Sequence, residues 1–182
     1  MSKVICCLLF KAAGKLSVAT MTEIERLLDQ FRRAYNGDSW AGPSLVDTLR
    51  GITAAQAAAH PLPGAHSIWE IVLHLTTWIE VVQRRLEENK LIGPTDAQNW
   101  PSLPPATDEA AWQQAEANLG QAHEQLLSKI ASLRDEDLAR HLQPLDDYPA
   151  GTPGPYYVLL HGLVQHNLYH TGQIALLRKA FA

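Results

Sequence analysis

Apolar residues in this chain recur every three or four positions along four long stretches, and nowhere do apolar and polar residues alternate for long. That spacing puts the apolar side chains on one face of a helix, whereas a half-buried strand needs a period of two. The expected fold class is therefore all-α: a four-helix bundle with long connections containing Pro and Gly. At 182 residues and 46% hydrophobic, the chain can bury one core without disulfide or metal staples.

The first stretch begins after Met21. Thr22 and Glu25 make a capping box, Ile24, Leu27, Leu28 and Phe31 follow at helical spacing, and Asn36-Gly37 stops the helix. Residues 38–66 form a Gly, Pro and Ala-rich connection with room for one or two short turns, long enough to cover a functional site. Ser67 with Glu70 caps the second helix, whose stripe is Ile68, Ile71, Leu75, Trp78, Val82 and Leu86, ending near Asn89. A loop over 90–106 follows. The third helix is expected to be capped near Thr107 and to carry Trp112, Ala115, Leu119, Ala122, Leu126, Ile130 and Leu133 inward. Asp135 to His141 suit an extra turn, and 142–155 form a Pro/Gly loop. The fourth helix spans about Pro155 to Phe181, with Leu159, Leu163, His166, His170, Ile174, Leu177 and Phe181 as its inward stripe.

Residues 1–20 stand apart from this pattern, so the domain is placed at 21–182. Val4 to Phe10 is at the short limit for the apolar core of a signal peptide, and an overlong start with Met21 as initiator is the plainer expectation. The two cysteines, Cys6 and Cys7, are neighbours in that extension, a poor geometry for a disulfide, which suits a reducing cytoplasm. A formal charge of −4 supplies no basic face for nucleic acid or an anionic membrane. No stretch approaches the ~20 apolar residues of a membrane helix. The expected partner is a small-molecule substrate.

Eight histidines remain to be placed. His166 and His170 are one turn apart, within about 40° of each other, and both fall in an apolar stripe. Burying two imidazoles in register is costly, because each brings two polar nitrogens. A shared divalent metal resolves both, since neutral imidazole is a good ligand for Zn, Ni or Fe. His161 projects about 160° away and is expected on the outer face, not at the metal. A further ligand must come from another helix. His74, at the edge of the second stripe, either faces a neighbouring helix or is half exposed, and helix geometry leaves both open. Glu70, one turn earlier, is a candidate to orient His74 or to act as a base, in competition with its capping-box role. His123, off the third stripe, is a reserve ligand. His60, His66 and His141 lie in connections or helix ends.

Sharper motifs are absent. Asn167 after His166 rules out the His-Glu-x-x-His of zinc proteases, and there is no Glu-x-x-His pair of a di-iron bundle. No phosphate loop or nucleophile elbow appears.

The chain resembles the DinB/YfiT-like superfamily of metal-dependent bundles over roughly residues 22–181. The resemblance is carried by Trp40-Ala41-Gly42-Pro43, by His66-Ser67-Ile68-Trp69-Glu70 leading to His74, by Trp100-Pro101 and, most specifically, by the segment from His161 through His166, Asn167, Tyr169 and His170 to Ile174. It implies that His74, His166 and His170 hold one divalent ion (Zn, Ni, Fe or Mn). Relatives include transferases and isomerases that use low-molecular-weight thiols such as bacillithiol and mycothiol. It also makes a homodimer an expectation. Three His ligands leave open positions at which a thiol or a water is activated. The leading expectation is a metal-dependent thiol S-transferase; the alternatives are a metal-dependent hydrolase and a non-catalytic bundle whose metal stabilises the fold. A haem-binding bundle is a further possibility.

Overall fold

The computed structural model describes residues 21–144 and 154–181. The expectations for residues 1–20, with Cys6 and Cys7, and for most of the 142–155 loop lie outside the described residues. The four long helices are α1 (Glu23–Asn36), α4 (Ile68–Glu88), α6 (Glu109–Ala131) and α7 (Tyr156–Arg178). Three short helices lie between them: α2 (Leu45–Leu49), α3 (Ala54–Ala58) and α5 (Asp96–Asn99). Single 3-10 turns cover Asp135–Ala139 and Lys179–Phe181. Among the described residues there is no strand, only two isolated bridge contacts, Lys90 with Gln143 and His141 with Pro155.

Helix starts follow local chemistry. Thr22 and Ser67 accept the backbone N–H of Glu25 and Glu70, and each glutamate reaches back to its cap residue, so the expected capping boxes form. The third long helix starts one residue later than expected. Asp108, not Thr107, is its cap, accepting from Ala111 N at 2.9 Å. The 38–66 connection holds the two short turns its composition allowed, α2 and α3. The capping box Thr95-Gln98 nucleates α5, a helix the reading of the 90–106 loop did not include.

The core forms where α4 packs on α6 and α7, with α1 against α6 and α7. Trp69 of α4 and Trp112 of α6 meet edge to face at 5.2 Å, both fully buried. Trp112 Nε1–H donates to the Ile52 carbonyl at 3.0 Å, which satisfies the indole and pins the 38–66 connection to the bundle. Asp135 accepts from the N–H groups of Glu23 and Ile24, tying its 3-10 turn to the start of α1. Arg178 donates to the Thr48 carbonyl at 2.8 Å and so links α7 to α2.

The inward stripe of α7 differs from the expected one. The buried residues are Tyr156, Leu160, Leu163, Val164, Asn167, His170, Thr171, Ile174 and Leu177. Leu159, His166 and Phe181 are only partly buried. The reason is that α7 packs on α1, α2 and α4 at once, so its covered face is broad and centred nearer Leu160 and Asn167. His166 and His170 consequently lie on the flank that faces α4.

Helices α4 and α7 run antiparallel. The His74 level of α4 meets the His166 level of α7, while Tyr156, at the start of α7, donates its hydroxyl to Asn89 Oδ1 at 2.8 Å, just past the end of α4. No helix of the described residues is long and apolar enough to cross a membrane.

Candidate metal centre

His74 from α4 and His166 and His170 from α7 converge. One ring nitrogen from each lies within 4.8 Å of the others, and no other His, Cys, Asp or Glu among the described residues joins the group. His74 and His170 are buried, at 4% and 6% exposure. His74 Nε2 and His166 Nε2 are 3.1 Å apart.

That separation tests the fit of a metal. Imidazole nitrogens bind zinc at about 2.0–2.1 Å, so two of them at tetrahedral or octahedral angles stand about 2.9–3.4 Å apart. The observed pair falls within this range. Two of the three outer nitrogens are held as a metal site needs, whereas His166 Nδ1 is buried without a hydrogen-bond partner. His74 Nδ1–H donates to the Asn99 carbonyl at 2.6 Å, and His170 Nδ1–H donates to Gln173 Oε1 at 2.6 Å. Each bond fixes the tautomer and leaves the Nε2 lone pair bare.

Electrostatics point the same way. Burial pushes the pKa of His166 down to about 4, with the neighbouring His170 and His74 adding to the fall. His74 and His170 are also lowered, mainly by burial, although the bonds to Asn99 and Gln173 oppose it. All three rings are neutral near pH 7, the state that binds metal.

The 90–106 loop builds one wall. Asn99, at the end of α5, accepts Trp78 Nε1–H on its side chain at 2.8 Å while its carbonyl holds His74, so one residue ties down positions 74 and 78 of α4. Trp100 lies between two imidazoles. Its ring stacks on His74 at 3.9 Å and on His66 at 3.6 Å, nearly parallel to both. Asn99 and Gln173 were missed in the sequence. Gln173 had a legible signal, three residues after His170 on the same helix face.

The other candidates separate cleanly. Glu70 spends its carboxylate elsewhere. One oxygen accepts from Ser67 N at 2.7 Å and lies 3.0 Å from His60 Nε2 and 3.4 Å from His66 Nδ1. Burial raises the Glu70 pKa, but these partners outweigh it and hold the carboxyl below its usual range. His74 Nδ1 is held by the Asn99 carbonyl, while the Glu70 carboxylate is engaged with Ser67, His60 and His66. His123 is not in the group. It is buried beside Tyr35, their rings stacked at 3.9 Å. His161 is also outside it, half-buried against Tyr157 with Glu23 at 3.6 Å.

Two cavities flank the histidines. One, of about 420 Å³, is lined by His74 and His166 and extends along α4 and α7. The other, of about 430 Å³, lies across Trp100 and is lined by His66, Tyr169, His170 and Gln173.

A model of the DinB superfamily matches residues 39–174, three quarters of the chain and the segment that holds all three histidines. Comparison with curated proteins gives no match. Among solved structures, the crystal structure described as that of the conserved protein of locus from Enterococcus faecalis superposes with a TM-score of 0.59. The identity is 16%, over 88% of this chain and 97% of that one, a likeness of fold alone.

Proposed function

The chain belongs to the DinB superfamily, and from that premise we propose that it is a metal-dependent enzyme of thiol S-transferase type, with His74, His166 and His170 holding one divalent ion. The observation that carries this reading is an incomplete ligand set beside a cavity. Three neutral imidazoles point at one spot, and no fourth His, Cys, Asp or Glu among the described residues closes it. Structural zinc sites are closed by four protein ligands, whereas catalytic sites use three and keep a position open. When bound, the ion supplies the positive charge that makes a coordinated thiol acidic near neutral pH.

The chain's own residues do the rest. Asn99 and Gln173 hold two of the rings in the binding tautomer. The apolar walls of the groove beside His74 and His166, formed by Trp78, Val82 and Leu163, lower the polarity around the site. In the overall reaction the thiol sulfur forms a bond to an electrophilic carbon, the bond from that carbon to its leaving group breaks, and the thiol proton passes to solvent.

The test has two readouts. Metal analysis of the purified chain is expected to find about one ion, lost in His166→Ala and His170→Ala. The loaded protein is then assayed for consumption of a low-molecular-weight thiol with a chlorinated aromatic electrophile. Absence of an ion under metal-replete conditions overturns the metal site. An ion bound without thiol turnover, but with hydrolysis of activated esters, replaces the transferase reading by the hydrolase.

A further inference from the structure

The groove that descends from His166 between α4 and α7 is more apolar than metal binding requires. Along α4 its wall is Trp78, Val82 and Arg85; along α7 it is Val158, Leu159 and Leu163. From His74 to Arg85 is eleven residues of helix, a run of about 16 Å at 1.5 Å per residue. Its volume of about 420 Å³ is near the lower end of the range for small-molecule sites. Arg85 walls the far end. Its Nε donates to the Ile92 carbonyl at 2.6 Å and its guanidinium sits 5.6 Å from the Trp78 ring.

One wall position is a glycine. Gly162 lies one turn before His166, on the ridge Val158, Gly162, His166, His170. It is in the middle of a 23-residue helix, where glycine is less favourable than alanine by roughly 0.5–1 kcal/mol. Neither backbone conformation nor crowding accounts for it. Its φ is not in the left-handed region, and a Cβ built there meets no atom within 4 Å. The missing side chain therefore leaves space, and that space belongs to the groove beside a candidate metal ligand.

We infer that this groove binds the apolar alkyl or aryl body of the substrate, that Gly162 keeps it open for that purpose, and that the polar reactive end of the same molecule is directed at the three histidines. The inference rests on the reading that those histidines hold a metal. It assigns Gly162 as a residue that sets substrate size. An uncharged body fits because the α7 wall carries no charged side chain and the one cation of the α4 wall is already bound to Ile92 and Trp78.

The experiment uses n-alkyl hydroxamates as probes, with a metal-seeking head and a tail of chosen length. On zinc-loaded wild type, affinity is expected to rise with each methylene by up to about fourfold until the groove is filled. Gly162→Leu is expected to bind zinc and acetohydroxamate like wild type but to lose the gain for octanohydroxamate. Gly162→Ala is expected to reduce the gain and to raise the melting temperature; it decides the matter if the leucine variant takes up less zinc. No gain in wild type, or the same gain in both variants, overturns the inference. Failure of the metal reading is seen separately, as no zinc uptake by wild type. In that event n-octanol is added to metal-free protein. A thermal shift in wild type that Gly162→Leu lacks supports the groove, and equal shifts or none refute it.

Discussion

His74 Nε2 and His166 Nε2 stand 3.1 Å apart although 92 residues separate them in the chain. Two helices hold the nitrogens at a spacing suited to a single ion. Metal should therefore tie α4 to α7 and stabilise the fold. An ion present at 100 times its dissociation constant adds about 2.7 kcal/mol. We expect zinc to raise the melting temperature of wild type and to leave that of His166→Ala unchanged. An equal rise in the variant would place the ion elsewhere.

Gln173 accepts from His170 Nδ1 at 2.6 Å and is otherwise on the edge of the second cavity. Removing the acceptor frees the imidazole to rotate or change tautomer. Partners of this kind are typically worth 10–100-fold in metal affinity. Gln173→Met should weaken zinc binding by about that factor in a competition titration with a chromophoric chelator. The unfolding midpoint of the metal-free protein should stay where it is in wild type.

The partner of His74 is a backbone carbonyl, which no side-chain substitution deletes. It can be loosened through Trp78, whose indole N–H holds the Asn99 side chain at 2.8 Å. Trp78→Phe keeps an aromatic ring and drops that bond. The expected result is weaker zinc binding, on the order of tenfold. The cobalt-loaded form should show a shifted visible spectrum, because one ligand ring is less firmly oriented. An unaltered spectrum and affinity would mean that α5 holds His74 without help.

His123 makes acid sensitivity testable away from the metal. Burial lowers its pKa from 6.5 to about 4, with Arg32 adding to the fall. Between these values the unfolded chain binds a proton that the folded chain does not. Stability then rises with pH, and it is lost as pH falls through the same window. The loss is about 2–3 kcal/mol by linkage. Urea titrations at pH 7 and pH 4.5 should show a smaller difference for His123→Gln than for wild type. Equal differences would assign the acid sensitivity to other groups.

Trp112→Phe removes the N–H that reaches the Ile52 carbonyl at 3.0 Å. That oxygen is left in the core without its donor, which costs about 1–3 kcal/mol. The unfolding midpoint in urea should fall accordingly, with metal stoichiometry unchanged.

Much of this fold was legible because helix signals are local. Thr22 with Glu25 and Ser67 with Glu70 mark two starts by chemistry contained within four residues. The pairing of His166 with His170 follows from helical spacing alone. The third candidate ligand was not legible in that way. A stripe fixes which face of α4 is buried, but it does not say whether an edge residue such as His74 meets a neighbour or water, and family resemblance supplied the choice. Asn99 was invisible for a deeper reason. The group it contributes is a carbonyl that every residue possesses, and only tertiary packing decides which carbonyl meets an imidazole. The α7 stripe was misjudged because a helix with three neighbours has no narrow apolar face, and Leu159 then reads like Leu160.

Helix α5 is four residues long, too short to persist in water without support. Its support comes from the bonds of Asn99 to His74 and Trp78 and from the rings on either side of Trp100. The order of this loop and the orientation of a candidate metal ligand are thus two faces of a single equilibrium. An ion that favours the oriented ring must favour the folded loop by the same free energy, and a mutation that melts the loop must weaken the ion by that amount. Amide hydrogens at residues 97–100 should exchange with deuterium more slowly once metal is added.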